Sequence, residues 1–160
     1  MTILIKSWEF LQAFGSDSDY HPLAMSTDAY LDRKSGAIRY AVIGELDPSI
    51  RCEYGEDYVD EILEDTHDVN ANPDNFVRLP PMSHGEHHAI MQDFLESNWT
   101  VDAEQKTKVQ DVYYPRKSIG YWIKNVSPDI AEKFFRHKEA EIQRRAEQFL
   151  RDNDVDFEWQ

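Results

Sequence analysis

One cysteine, Cys52, is all that the 160 residues hold, so no internal disulfide framework exists and a reducing compartment suits the chain. No apolar run approaches the ~18 residues that a membrane span needs. The N-terminal stretch has no basic segment leading into an apolar one, so no export signal is expected. The patterns G-x-S-x-G, G-x-x-x-x-G-K-[ST] and G-x-G-x-x-G are missing, and with them the usual nucleophile elbow and phosphate cradles. Glycine and proline, at 6 and 7 residues, never cluster into a linker or a low-complexity tract. Positive charge is scarce as well: 17 Lys and Arg face 31 Asp and Glu, a net charge of −14. Such a field disfavours direct contact with nucleic acid or an anionic membrane and favours basic partners.

What remains is a globule-forming composition. Hydrophobic residues make up 41% of the chain, with 4 Trp, 8 Phe and 8 Tyr, which is too apolar for an acidic disordered protein. The length fits a single domain, residues 1–160, with a core of its own.

The strongest pattern lies near the C-terminal end. Ser127, Pro128 and Asp129 supply a cap, a proline at the first helical position and an acid in the first turn. Phe134, Phe135, Ile142, Ala146, Phe149 and Leu150 recur at helical spacing and predict a long helix near 128–151, ended by Asn153 in a left-handed turn. Glu132 with Arg136, Glu141 with Arg145 and Glu147 with Arg151 stand as acid-first pairs on its solvated side. Val155, Phe157 and Trp159 then alternate with Asp156 and Glu158, the signature of a strand near 155–159.

Taken in order, Ile3-Leu4-Ile5 is too short to assign, and Ser7 to Phe14 reads as a brief helix stopped at Gly15. A β-hairpin is predicted near 29–43, turning through Arg33-Lys34-Ser35-Gly36, with Asp32 hydrogen-bonding the turn backbone. Gly44 to Glu53 reads as a loop. From Glu56 a helix is expected with Tyr58, Val59, Ile62 and Leu63 inward, followed by a loop over 68–75. A strand near 76–79 is stopped by Pro80-Pro81. Ser83 and Glu86 have capping-box spacing and open a helix burying Ile90, Met91, Phe94 and Leu95. Residues 101–112 and 118–126 read as further short helices. The expected architecture is α+β, a small antiparallel sheet of the hairpin and the strands near 76–79 and 155–159, packed by several helices.

Two groups of side chains invite a functional reading. Between Glu45 and Asp68 there are ten acids and one base, a net of −9, while Glu104 to Arg151 carries eleven bases and seven acids, a net of +4. Within the acidic segment Glu56, Asp57, Asp60, Glu61, Glu64 and Asp65 share one helical face at spacings where like charges repel, which marks a candidate docking surface for a protein with a basic surface. The second group is His84, Glu86, His87 and His88, of which His84 and His88 lie one turn apart and can both reach a metal. Its order matches neither H-E-x-x-H nor the inverted form, so no metal or other cofactor is expected and the histidines stand as weak candidates. Cys52 sits among acids, which raise a thiol's pKa and blunt it as a nucleophile. Bases from Arg116 to Arg151 with Tyr113, Tyr114, Tyr121 and Trp122 could line a nucleic-acid face, but interleaved glutamates favour ion pairing instead.

Four segments are also similar, in order and spacing, to the bacterial uncharacterised protein family 0158. They are Tyr30 to Ile38, Phe76 to Pro80 with Ala89 to Phe94, Ile119 to Lys124, and Phe149 to Trp159. The third departs from the family pattern in lacking paired basic residues. The resemblance implies the domain limits and a cytoplasmic bacterial setting, and it brings no catalytic residue.

These observations lead to an acidic cytoplasmic protein, not expected to be an enzyme, that acts by binding another protein in a regulatory or interaction role. A charge mimic of nucleic acid, inhibiting a nucleic-acid-binding protein, is one alternative. A metal-dependent hydrolase built on His84, Glu86, His87 and His88 is the other.

Overall fold

The computed structural model describes residues 1–15, 27–46, 48–97 and 127–160. The helices expected over 101–112 and 118–126 and the aromatic stretch from Tyr113 to Trp122 lie outside them. The elements are β1 (Ile3–Ile5), α1 (Ser7–Phe14), β2 (Thr27–Asp32), β3 (Ile38–Val42), α2 (Ile50–Tyr54), α3 (Glu56–Ala71), β4 (Phe76–Leu79), α4 (His84–Glu96), α5 (Pro128–Asp152) and β5 (Phe157–Trp159). The α+β class expected from the pattern is what the chain adopts. Two compact units divide it, residues 1–83 with 145–160 and residues 84–144.

In the first unit a three-stranded antiparallel sheet has the order β3-β2-β4. Its hairpin turn forms as its chemistry demands. Asp32 Oδ1 accepts from the amides of Lys34 at 2.8 Å and Ser35 at 3.3 Å, while Oδ2 accepts from the Ser35 hydroxyl at 2.8 Å. Burial works to raise this carboxyl, but the Lys34 amide, the Ser35 hydroxyl and amide, and the Arg39 charge together hold it below its ordinary value. Gly36 closes the turn at φ +73°. A side chain there would collide with the Leu4 carbonyl of β1, so the turn needs glycine for space as well as for conformation.

The C-terminal strand departs from the expectation. β5 does not join the antiparallel sheet; it pairs in parallel with β1, in the register Ile3 with Phe157 and Ile5 with Trp159. The run Ile3-Leu4-Ile5 is thus a strand, with Ile3 and Ile5 buried and Leu4 exposed. Ile3 N–H donates to the Asp156 carbonyl at 2.9 Å and Gln160 N–H to the Ile5 carbonyl at 2.8 Å. Parallel pairing of two three-residue segments from opposite ends leaves no local turn signal to read. The approach to β5 is fixed by the end of α5. Asp154 N–H bonds the Arg151 carbonyl and Val155 N–H the Leu150 carbonyl, at 3.0 and 2.9 Å, the crossed pair of a Schellman motif. Asp154 at φ 55°, and not Asn153, is the left-handed residue. Asn153 contributes differently, donating from Nδ2 to the Phe149 carbonyl at 2.8 Å. Val155 and Leu150, both buried, make the apolar closure that goes with such a motif.

The core of this unit gathers Ile5, Phe10, Leu31, Leu79, Ala146 and Leu150, each almost wholly buried. Phe14 stacks on Phe10 and tilts against Phe149, and Trp159 tilts against Phe10 at 5.7 Å. Ile50, Val59 and Ile62 form a smaller cluster with Val42, Leu46 and Tyr54 against them. That anchoring of Ile50 explains α2, where the sequence suggested only loop. Burial of Val69, seven positions after Ile62, likewise carries α3 on to Ala71, past the loop expected from residue 68.

The second unit packs α4 and the earlier part of α5. Ile90, Met91, Phe94 and Leu95 are buried, as their spacing predicted, together with Ile130, Phe134 and Ile142. Phe94 meets Phe134 edge-on at 5.4 Å. Phe135 is 43% exposed, so the stripe of α5 is narrower than the sequence suggested.

Candidate functional site

Helix α3 begins after Gly55, whose φ of 89° separates it from α2, and carries Glu56 and Asp57 in its first turn, where the dipole favours acids. Its buried stripe is Val59, Ile62 and Val69. At about 100° per residue, the acids occupy the opposite half of the helix. Glu56, Asp57, Asp60, Glu61 and Glu64 are exposed and Asp65 is half-buried. Tyr58 and Leu63 lie at the two borders between core stripe and acids, 41% and 37% exposed. The sequence reading set both inward. Two apolar positions that far to either side of the Val59/Ile62 line are too wide a stripe for one packing face, and that width was the available signal.

Two of the six acids are held by arginines. Arg39 Nη1 of β3 reaches Asp65 Oδ1 at 3.1 Å and Arg51 Nη1 of α2 reaches Asp60 Oδ1 at 2.9 Å. Among the described residues no cation lies at ion-pair distance from Glu56, Asp57, Glu61 or Glu64. The repulsion leaves a trace on Asp65. Burial raises its carboxyl above the ordinary value, the Arg39 charge opposes, and Glu61 and Glu64 add to the rise. Tyr40 of β3, 44% exposed, has its hydroxyl raised by burial and by neighbouring Tyr58 and Glu9, so Tyr40 and Tyr58 form an aromatic margin to the acidic surface.

Helix α5 handles its acids otherwise. Glu132 is bridged by Arg136 at 2.6 Å, Glu141 by Arg144 at 2.8 Å and Glu147 by Arg151 at 3.2 Å. Three acids on α5 sit in pairs with arginines, whereas four on α3 are exposed to one another.

The thin edge of α3 is fastened to the sheet by Thr66. Its hydroxyl donates to the Ile62 carbonyl at 2.7 Å and accepts from the Val42 amide at 3.0 Å. This closes an outer donor of β3 and fixes which face of the helix turns to solvent.

The histidines of α4 divide. His87 is 4% exposed and turns with Ile90 and Met91 into the second unit's core. His84 and His88 are half-buried and face each other, Nε2 to Nε2 at 2.7 Å. Glu86 is exposed. Farther along, His137 Nε2 stands 3.1 Å from Asp93 Oδ2 but off the line of a hydrogen bond. No group of three or more His, Cys, Asp or Glu converges as a metal site among the described residues. Cys52 is exposed.

No helix among the described residues is long and apolar enough to cross a membrane. The fold and its exposed acids define an acidic α+β protein with a small antiparallel sheet and a separate parallel strand pair. The chain belongs to the uncharacterised protein family UPF0158, whose model matches residues 2–160. No curated protein and no solved structure is significantly similar to it.

Proposed function

We propose that the protein acts in the cytoplasm by binding another protein, and that the solvent face of α3 is the contact surface. The observation that carries this reading is the set of four exposed carboxylates, Glu56, Asp57, Glu61 and Glu64, with no counter-charge among the described residues and flanked by exposed Tyr58 and Leu63. Like charges at helical spacing cost a few tenths of a kcal/mol per contact, and α5 of the same chain avoids that cost with arginines. A surface that keeps the repulsion and adds apolar margins is suited to a partner that brings the arginines and lysines itself. Charge complementarity of this kind governs encounter rate and selectivity, while the aromatic and leucine margins supply the desolvated contacts that hold the complex.

The test compares capture of partners by the wild type and by the Glu61→Lys/Glu64→Lys variant, at low and at moderate salt. The reading requires a basic protein that the wild type retains, that the variant loses, and that rising salt releases. Equal retention by both, indifferent to salt, overturns it. Release of the partner by duplex DNA would assign the face to mimicry of phosphates.

A further inference from the structure

The histidines of α4 carry a separate inference, independent of the acidic face. His84 and His88 lie one turn apart, so both side chains lean over the same N-terminal turn of the helix. Their ring centroids are 4.2 Å apart with the planes at 74°, and the two Nε2 atoms meet at 2.7 Å. Each ring therefore brings the same nitrogen against its neighbour's. With both rings neutral, one Nε2 carries the proton and the other offers its lone pair. Two imidazole nitrogens bound at right angles to a tetragonal divalent ion, each at about 2.1 Å, stand about 3 Å from one another. The pair is within a few tenths of an ångström of that spacing, a change that small rotations of the two rings supply.

We propose that His84 and His88 form a two-imidazole chelate for a late first-row divalent transition ion. Imidazole nitrogen suits copper, nickel and zinc, while magnesium and calcium demand oxygen ligands. To bind through Nε2, each ring holds its proton on Nδ1. The helix dipole opposes a cation at this end, and the protein's net charge of −14 attracts one. His87 is no third ligand, since it turns into the core. A pair of imidazole donors follows the intrinsic order of the metals, with Cu(II) bound above Ni(II) and Zn(II).

Isothermal titration of the full chain with Cu(II), Ni(II), Zn(II) and Mg(II) salts tests this. The expected result is one saturable site in that order of strength, with no magnesium heat. His84→Ala and His88→Ala should each weaken Cu(II) binding at least about tenfold, or 1.4 kcal/mol, and His67→Ala, which removes an exposed histidine of α3, should not. His84→Gln serves as a second variant that keeps the side chain's bulk, with circular dichroism reporting whether α4 is intact. Cu(II) binding of unchanged strength in folded His84 and His88 variants, or no saturable heat in the wild type, overturns the proposal.

Discussion

Arg33, in the hairpin turn, donates from Nη1 to the backbone carbonyl of Asn153 at 3.0 Å, 120 residues further along. A guanidinium is thereby placed on a carbonyl at the negative end of α5, where helix carbonyls lack intrahelical donors and a cation is favoured. One bond joins the first turn of the antiparallel sheet to the junction that leads into β5.

Removing it should loosen that junction. Arg33→Ala is expected to cost about 1 kcal/mol, the sum of a half-buried hydrogen bond and a dipole contact, and Arg33→Lys should recover part of the loss. Chemical denaturation of the three proteins checks the order.

Gly36→Ala should be more damaging. The residue holds φ +73°, and a methyl group meets the Leu4 carbonyl, so at least about 2 kcal/mol is expected from strain and collision together. Gly44→Ala, at φ +81° with open space around it, should cost only about 1 kcal/mol. Equal losses at the two sites would show that β1 does not press on the hairpin.

Asp32 supplies a pH signature. Its carboxyl is held below the ordinary value in the folded protein, so its contribution is present in full above about pH 4 and is lost as pH falls through the folded value. Asp32→Ala should lower stability by about 1–2 kcal/mol at pH 7 through the lost turn bonds. The gap to wild type should close in acid, as unfolding measured from pH 7 down to pH 2 will show.

Asp65 has the opposite sign. Its carboxyl is raised, so it weakens the fold as pH climbs through the carboxylate range, and Glu61 and Glu64 are part of the cause. Glu61→Lys/Glu64→Lys turns the contacts with Asp57, Asp65, Asp60 and Asp68 from repulsion to attraction, and should stabilise by about 1 kcal/mol, or roughly 2–4 °C in Tm, at neutral pH. Carbon-detected titration should find the Asp65 carboxyl lower in the variant than in the wild type. Asp60 is left unchanged because Arg51 already holds it.

Periodicity reported these elements well wherever burial has one direction. Phe94 and Leu95 of α4, Leu31 of the hairpin and Leu150 of α5 all lie buried as their spacing demanded. The turn chemistry of Asp32 and Gly36 was equally legible, because it acts within four residues. The parallel partner of β5 was not, since nothing in Ile3-Leu4-Ile5 encodes a strand at the far end of the chain. The acids of α3 were visible as a face, but which were held by Arg39 and Arg51 depended on where β3 and α2 come to lie. His84 and His88 were recognisable as one turn apart, whereas their nitrogen-to-nitrogen approach is a matter of side-chain rotation that spacing does not fix.

The pairing of β1 with β5 sets a constraint on biosynthesis. Leu4 lies opposite Glu158 in that register, so a strand made early waits for a partner that follows it by roughly 150 residues of synthesis. At bacterial and eukaryotic elongation speeds of about 5–20 residues per second, the delay is on the order of ten to thirty seconds. Through that interval Ile3 and Ile5 have no strand partner. The nascent chain therefore passes through a stage in which the backbone edge of β1 is unpaired.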